Sequence, residues 1–318
     1  MKKTINYFMA GVSAIAALAL WGSCSKSSSL PPIGGYNSSN DIAPTNLIAY
    51  WSMDGNATES KQNLSGTNTG GTFVAGQKGQ AWQGAGNSYI NYGSAGTALT
   101  AINSYTLSMW FNEPAQPVNN PGASYVAGQG AQGVFFMYDN AATGTAWNLL
   151  HLDFEPYTPK SLDSVRIHAG FNNTGSTGWQ GIVPQGFFTN AIKKWVHLVM
   201  TYDASSSTYV LYEDGVPVGA QTAWTSGGYA TPDPIYNGPL PVAAGGTQPM
   251  GSISFKHAAR GLIIGAFPQV LSLSGSDIGG PQPWSGNFQG AVDEIRVYNK
   301  ALGAADVGSL YQLELAKR

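Results

Sequence analysis

The chain contains 318 residues, of which 10% are charged and 12% aromatic, and its formal net charge is −2 with 41 glycines. This composition favours a turn-rich all-β protein and excludes helical bundles and coiled coils, which need abundant Glu, Lys and Leu. No basic block follows the first three residues, so we expect no nucleic-acid partner. Cys24 is the only cysteine, which excludes a disulfide within the chain.

The N-terminal segment has the pattern of a bacterial lipoprotein signal peptide. A basic start precedes an apolar stretch from about Phe8 to Trp21, which is too short for a comfortable membrane span. Small residues then precede Cys24, as in a lipobox. We therefore expect removal of residues 1–23 and lipidation of Cys24, giving an outer-membrane lipoprotein on the periplasmic or cell-surface face. An ordinary signal peptide with an incidental thiol is the alternative.

Residues 24–45 are rich in Ser, Pro and Gly and predict a flexible tether. Residues 46–318 have no second linker and predict one all-β domain, because short apolar runs recur between glycine-rich turns. The predicted strands are LIAYWSM (47–53), SYTLSMWF (104–111), WVHLVMTY (195–202), YVLYE (209–213), GLIIGAF (261–267) and AVDEIRVY (291–298). Asp214-Gly215 predicts a hairpin turn. A short helix is expected near the end, where Val307 and Leu310 share one face with Tyr311.

Six segments carry a resemblance to a known family. They are LIAYWSMDGN (47–56), YINYG (89–93), SYTLSMWFN (104–112), KKWVHLVMTYDASSSTYVLYEDGVPVG (193–219), GLIIGAF (261–267) and FQGAVDEIRVYNKAL (288–302). In this order they resemble a concanavalin A-like or laminin G-like domain, of the kind found in lipoproteins of Bacteroides-type bacteria. The resemblance implies a jelly-roll sandwich of two antiparallel sheets with a short C-terminal helix.

Two regions, 113–190 and 221–260, match the family poorly and are expected to be loops and insertions. The insertion at 225–260 is rich in Gly, Pro and Tyr, where the family usually has a short connection. Loops of this size are often functional, so the insertion is a candidate for a binding role.

Two aspartates are candidate calcium ligands. Asp293 lies in AVDEIRVY and, by the two-residue period, shares a face with Ile295 and Val297, where an unpaired charge is costly. Asp54 follows the first strand. In the resembling family the first and last strands meet and often hold a structural calcium, which implies oxygen ligation by Asp54 and Asp293. The alternative is an aspartate cap on a turn and an aspartate paired with a backbone N–H.

The segment HLDFE (151–155) places His151, Asp153 and Glu155 on one face of a strand. It resembles the Glu-x-Asp-x-Glu signature of laminarinase-type glucanases, which share the sandwich fold. Retaining glycosidases need two carboxyls about 5–5.5 Å apart, one of them a nucleophile. Here His151 stands at the nucleophile position, so Asp153 and Glu155 are candidate catalytic residues only if the protein is an enzyme. The alternatives to a catalytic site are a site that only binds the ligand and an exposed polar strand.

Aromatic residues outside the matched strands are candidates for a glycan platform. Sugars stack their C–H faces on aromatic rings, and exposed rings are unfavourable unless they cover or bind something. The candidates are Trp147, Trp179, Trp224, Tyr229, Tyr236 and Trp284. The alternative is that these rings pack under their own loops.

The sequence therefore favours non-catalytic binding of a glycan or polysaccharide by a membrane-anchored lipoprotein. A polysaccharide-degrading glycoside hydrolase of the same fold is one alternative, and a protein-interaction or adhesion module is another. The patterns His-x-x-x-His, Cys-x-x-Cys and Gly-x-Ser-x-Gly do not occur, so no zinc, redox or serine-hydrolase site is expected.

Overall fold

Strands dominate the computed structural model, which describes residues 30–115, 117, 130–139, 148–155, 163–174, 185–218, 238–239, 251–273 and 280–318. Its strands are β1 (Leu47–Trp51), β2 (Thr58–Glu59), β3 (Leu64–Ser65), β4 (Thr67–Thr69), β5 (Thr72–Ala75), β6 (Gln80–Gln83), β7 (Tyr89–Tyr92), β8 (Tyr105–Asn112), β9 (Ala131–Asp139), β10 (Leu150–Glu155), β11 (Val165–Phe171), β12 (Gln185–Phe188), β13 (Trp195–Asp203), β14 (Thr208–Glu213), β15 (Val216–Pro217), β16 (Gly238–Pro239), β17 (Ala259–Ile264), β18 (Ser285–Asn287) and β19 (Ala291–Tyr298). The helices are α1 (Thr97–Thr100) and α2 (Ala304–Leu315), with 3-10 turns at Ser39–Asp41 and Pro268–Leu271.

Two sheets account for most of these strands. The nine-stranded sheet has the order β15-β14-β13-β8-β19-β6-β5, with β1 also paired to β19 and β16 to β14. The eight-stranded sheet has the order β12-β11-β10-β9-β17-β7-β4, with β18 paired to β9. Pairing is antiparallel except between β18 and β9, and β2 and β3 form a separate hairpin. Neighbours in space are often distant in sequence, as in a jelly roll.

The main core lies between the inner faces of the two sheets. Alternate residues of each strand point inward, and rings from opposite sheets meet there. Phe111 of β8 contacts Phe154 of β10 at 4.8 Å between ring centroids, and Trp51 of β1 meets Phe135 of β9 at 5.9 Å. These edge-on contacts join the sheets. The predicted all-β sandwich of two antiparallel sheets is confirmed.

The region 113–190 corrects a prediction. It was expected to hold loops and insertions, but it supplies β9, β10, β11 and β12, half of the eight-stranded sheet. Family resemblance was absent there, although Val165, Ile167 and Ala169 alternate with polar residues as a half-buried strand requires. The insertion at 225–260 lies largely outside the described residues.

Two local predictions are confirmed. The hairpin between β14 and β15 turns at Asp214 and Gly215, whose φ angles are +50° and +80°. Both values belong to a two-residue turn that matches strand twist. The C-terminal helix begins after Gly303, which serves as its N-cap, and buries Val307 and Leu310.

Residues before the domain also pack against it. The predicted tether at 24–45 overlaps a segment whose Tyr36 hydroxyl donates to Asp306 of α2 at 2.8 Å. The Ser39 hydroxyl donates to the Arg318 carbonyl at 2.8 Å, and Ile42 is fully buried. The compact unit accordingly spans Pro32–Arg318. Apolar residues within an otherwise polar stretch explain this docking. Cys24 and the predicted signal peptide lie outside the described residues.

Helix α2 covers the outward face of the nine-stranded sheet over a buried charge network. The Arg296 guanidinium donates from Nε to Glu314 at 2.6 Å and from Nη2 to Glu294 at 2.6 Å. Its Nη1 donates to Asn40 at 2.8 Å, and the Trp110 indole donates to the second Glu314 oxygen at 2.8 Å. Each charge therefore has several partners, as buried ions require.

Candidate functional site

The outward face of the eight-stranded sheet carries a row of ionisable residues on β10. Leu152 and Phe154 point into the main core, so His151, Asp153 and Glu155 point the other way, as the sequence predicts. The side chains are not exposed, however. His151 is fully buried and Asp153 is 2% exposed. The alternative of an exposed polar strand is therefore wrong, because His151 and Asp153 are buried.

Strand β11 pairs the two carboxylates of this row with cations. Asp153 lies opposite His168 in the register, and His168 Nδ1 is 3.0 and 3.1 Å from the two Asp153 oxygens. Arg166 Nη1 lies 3.0 Å from Glu155 Oε2. Glu155 Oε1 is also 3.7 Å from His168 Nδ1. The four side chains form a chain of alternating charge across two adjacent strands.

Burial and mutual attraction set the protonation of this pair. Burial lowers the pKa of His168, but the charges of Asp153 and Glu155 outweigh it and raise that pKa to about 9. Burial raises the pKa of Asp153 to about 6, against the opposing attraction of His168. At neutral pH the pair is therefore a buried ion pair.

His151 behaves differently from His168. Burial, with a smaller contribution from the nearby His168 charge, lowers the pKa of His151 well below its ordinary value, so the ring is neutral. Its Nδ1 lies 2.9 Å from the Asn148 side-chain amide nitrogen. The ring stacks on Phe136 at 5.8 Å between centroids and lies 5.5 Å from the His168 ring. A neutral imidazole can serve as a hydrogen-bond partner or as a metal ligand.

This arrangement differs from a pair of catalytic carboxyls. A retaining glycosidase needs a nucleophilic carboxylate and a second carboxyl that donates a proton. Here Asp153 forms an ion pair with His168, and Glu155 forms one with Arg166. His151 holds the position that the resembling glucanases give to the nucleophile. Each of the two carboxylates therefore lies against a cationic side chain of β11.

An aromatic row leads along the same face to a solvent-exposed ring. Phe136 packs on Phe267 at 4.8 Å, and Phe267 meets Trp284 edge-on at 5.3 Å. Trp284 is 39% exposed. Its carbonyl accepts the Ala131 N–H at 2.9 Å, which ties it to the start of β9. Gly130 makes this approach possible, since its φ is +85° and a Cβ there would collide with the Trp284 carbonyl.

The remaining glycan-platform candidates, Trp147, Trp179, Trp224, Tyr229 and Tyr236, lie outside the described residues. Of the six candidates, Trp284 lies within the described residues. It stands at the edge of the same face as His151, Asp153 and Glu155.

The two predicted calcium ligands both contact the turn between β5 and β6. The Asp54 Oδ1 accepts the Gln80 N–H at 2.8 Å, and Asp293 accepts the Lys78 N–H at 2.9 Å. The Glu294 N–H donates to the other Asp293 oxygen at 2.8 Å. A Cβ at Gly79 would collide with Asp54, so the turn lies directly against this carboxylate. Burial raises the pKa of Asp293 to about 8.

The structure corrects the prediction, made from the two-residue period of a strand, that Asp293 shares a face with Ile295 and Val297. Val292 pairs with Phe111 and Val297 with Leu107, so β19 carries one extra residue between them. The bulge lies at Glu294, whose φ is +50°. Asp293 therefore does not share the inward face of Ile295. The contacts described for both aspartates are with backbone N–H groups, which agrees with the alternative of a turn cap and a backbone-paired aspartate. Calcium ligation by Asp54 and Asp293 stays a prediction.

The sequence missed His168 and Arg166, which complete the cluster. His168 has no acidic neighbour along the chain, and its partner Asp153 is fifteen residues away across a strand pair. The alternation in Val165–Phe171, with Arg166 and His168 on the polar side, was the available signal.

No family model matches the chain, and no curated protein matches it. Domain 4 of a GH43 extracellular arabinanase from Geobacillus stearothermophilus, in complex with arabinotriose, is 18% identical with a TM-score of 0.49, covering 84% of this chain and 98% of that chain. The botulinum neurotoxin type G receptor-binding domain is 11% identical with a TM-score of 0.46, covering 84% and 51%. A Trypanosoma rangeli sialidase in complex with a difluorinated sialic acid analogue (2,3-difluoro-KDN) is 15% identical with a TM-score of 0.48, covering 85% and 33%.

The strand order, and not these likenesses, defines the class: an all-β jelly-roll sandwich with a polar and aromatic outward face on its eight-stranded sheet. Within the described part of the chain, no helix has the length and apolar character that a membrane-spanning segment needs.

Proposed function

We propose that this protein binds a neutral glycan or polysaccharide without cleaving it, through the exposed ring of Trp284 at the edge of the outward face of the eight-stranded sheet. The observation that carries the proposal is Trp284, a 39% exposed indole held at the end of an aromatic row. A large ring held in one orientation loses little conformational freedom on binding and presents a flat apolar surface to sugar C–H groups.

The charges beside the ring favour an uncharged ligand. Asp153 pairs with His168, and Glu155 pairs with Arg166, so the cluster neutralises itself. A charged sugar would need an opposite charge that is not already compensated. The same pairing favours binding over hydrolysis, because each carboxyl already contacts a cationic side chain.

Two further parts of the proposal concern location and metal. The apolar leader and the sole cysteine, Cys24, support lipid anchoring in the outer membrane. The convergence of Asp54 and Asp293 on one turn supports a structural Ca²⁺ that ties the first strand to the last. Bound there, the ion would supply the positive charge that a buried carboxylate lacks.

A depletion assay tests the binding function. The full chain is mixed with insoluble and soluble polysaccharides, with Ca²⁺ or with chelator, and the supernatant is checked for lost protein and for new reducing ends. We expect retention on at least one neutral polysaccharide and no new reducing ends. Trp284→Ala should weaken retention about tenfold or more, because one aromatic contact is worth roughly 1.5 kcal/mol.

Val216→Ala is the matched control, since Val216 is an exposed apolar residue of the nine-stranded sheet. Retention unaffected by Trp284→Ala would contradict the assigned face. New reducing ends that disappear in Glu155→Gln would instead establish a hydrolase. No retention on any polysaccharide would favour the protein-interaction role.

A further inference from the structure

The cluster on β10 and β11 has a second property that sugar binding does not use. Among the described residues, one group of three metal-ligating side chains has its ligand atoms within 4.8 Å of one another: His151, Asp153 and His168. All three side chains are buried. Two come from β10 and one from β11, strands that are paired in register.

The donor set and spacing suit a transition-metal ion. Two imidazole nitrogens and one carboxylate oxygen are common ligands of Zn²⁺. Ligand atoms about 2.0–2.1 Å from a tetrahedral ion lie roughly 3.3 Å from each other. His168 Nδ1 and Asp153 Oδ1 already lie 3.0 Å apart. Neighbouring strands of one sheet hold such ligands more precisely than loops do.

The groups around the two rings agree with ligation. Metal-bound histidines usually donate their second ring N–H to an oxygen. The Asn148 side chain lies 2.9 Å from His151 Nδ1, and Asn148 Oδ1 has no hydrogen-bond partner in the described structure. Because amide O and N exchange by rotation, Asn148 Oδ1 can accept the Nδ1–H of His151 and leave Nε2 as the ligand atom. The second ring nitrogen of His168, Nε2, is buried and has no hydrogen-bond partner among the described residues, so the outer partner is found for His151 alone.

We infer that His151, His168 and Asp153 form a binding site for a divalent transition-metal ion of the Zn²⁺ type. The ion would link β10 to β11 beneath the outward face of the sheet. Glu155 lies beside the site and compensates the charge of Arg166, so the guanidinium does not face the ion uncompensated. This site is separate from the proposed calcium ligands and does not depend on sugar binding.

Metal titration of the full chain tests the site. After chelator treatment and dialysis, Zn²⁺ binding is followed by calorimetry, and Co²⁺ binding by the visible absorption of a histidine-ligated ion. We expect one ion per chain. His168→Gln and His151→Gln should each weaken binding more than about 100-fold, and Asn148→Ala about 10–100-fold, the usual effect of an outer partner.

His257→Gln is the matched control. His257 Nδ1 also contacts a carboxylate, Asp139 at 2.8 Å, but it lies outside the three-residue group. Binding should be unchanged in this variant. Zn²⁺ affinity that survives both His151→Gln and His168→Gln would indicate an adventitious ion only and overturn the site, as would failure of the folded parent chain to bind. If circular dichroism shows that His168→Gln does not fold, the Co²⁺ spectrum of Asp153→Asn decides instead, because loss of a ligand alters its bands.

Discussion

Both sheets bury charged residues on their outward faces, but the two sets of charges differ in how many hydrogen-bond partners they have. Under α2, Arg296 donates to Glu294, Glu314 and Asn40, and Glu314 accepts from two donors. On the eight-stranded sheet, His168 meets Asp153 through one ring nitrogen while its other nitrogen has no partner among the described residues. A saturated network locks a helix in place, whereas the cluster on the eight-stranded sheet leaves a buried ring nitrogen unsatisfied.

Removing the arginine of the saturated network should give the largest effect. Arg296→Met leaves Glu294 and Glu314 buried without their cation, and we expect a loss of about 3–5 kcal/mol in the free energy of unfolding. Urea denaturation measures it. Lys78→Met is the control, because Lys78 is partly exposed and reaches Glu294 at only 3.4 Å. It should cost less than about 1 kcal/mol. Equal losses in the two variants would contradict the saturated-network account.

Calcium should stabilise the nine-stranded sheet without changing its outward charge network. At a Ca²⁺ concentration of 100 times the dissociation constant, the expected gain is about 2.7 kcal/mol. Asp293→Asn should abolish the gain, because it removes a charged ligand. Thermal unfolding with Ca²⁺ or chelator measures the difference, with Mg²⁺ as the ion control. A gain that persists in Asp293→Asn would place the ion elsewhere.

Glu113 is a third kind of buried ionisable group, because its partner is a side-chain amide and not a cation. Gln132 donates to it at 3.0 Å, and burial raises the pKa of Glu113 to about 8. Between pH 4.5 and 8 the folded chain therefore holds a proton that the unfolded chain has lost, so stability falls as pH rises. Glu113→Gln should be more stable than the parent by roughly 2 kcal/mol at pH 8 and equal to it near pH 4.5. Identical pH profiles by urea denaturation would contradict this prediction.

The smallest effect concerns the partly exposed histidine. His257→Gln breaks a contact with Asp139 at the far end of β9, and solvent screens that pair. We expect a change below about 1 kcal/mol by urea denaturation. His168→Gln should cost more, because Asp153 is fully enclosed and loses its only charged contact shorter than 3.5 Å among the described residues. A larger loss of stability in His257→Gln than in His168→Gln would contradict this prediction.

Local patterns predicted much of the fold. The boundaries of β19 coincide with AVDEIRVY, and Asp214-Gly215 forms the expected hairpin, because both depend on neighbouring residues. The bulge at Glu294 was not predictable, since an extra residue in a strand leaves no mark on a regular alternation. It changed the side on which Asp293 projects.

The site was predicted only in part, because strand pairing is a long-range property. The sequence placed His151, Asp153 and Glu155 on one face, but their partners came from β11, a strand that no motif revealed. Burial of that face also depends on packing that alternation does not encode. Trp284 was one of six equivalent aromatic candidates until the structure placed it against Phe267.

Hydrogen–deuterium exchange with a soluble oligosaccharide of the retained polysaccharide tests the central claim most directly, because it locates the ligand on one of the two outward faces. We predict slower exchange in β18 and β9, beside Trp284, and unchanged exchange in α2. Protection of α2 instead, or protection in neither region at saturating oligosaccharide, would contradict binding at the outward face of the eight-stranded sheet.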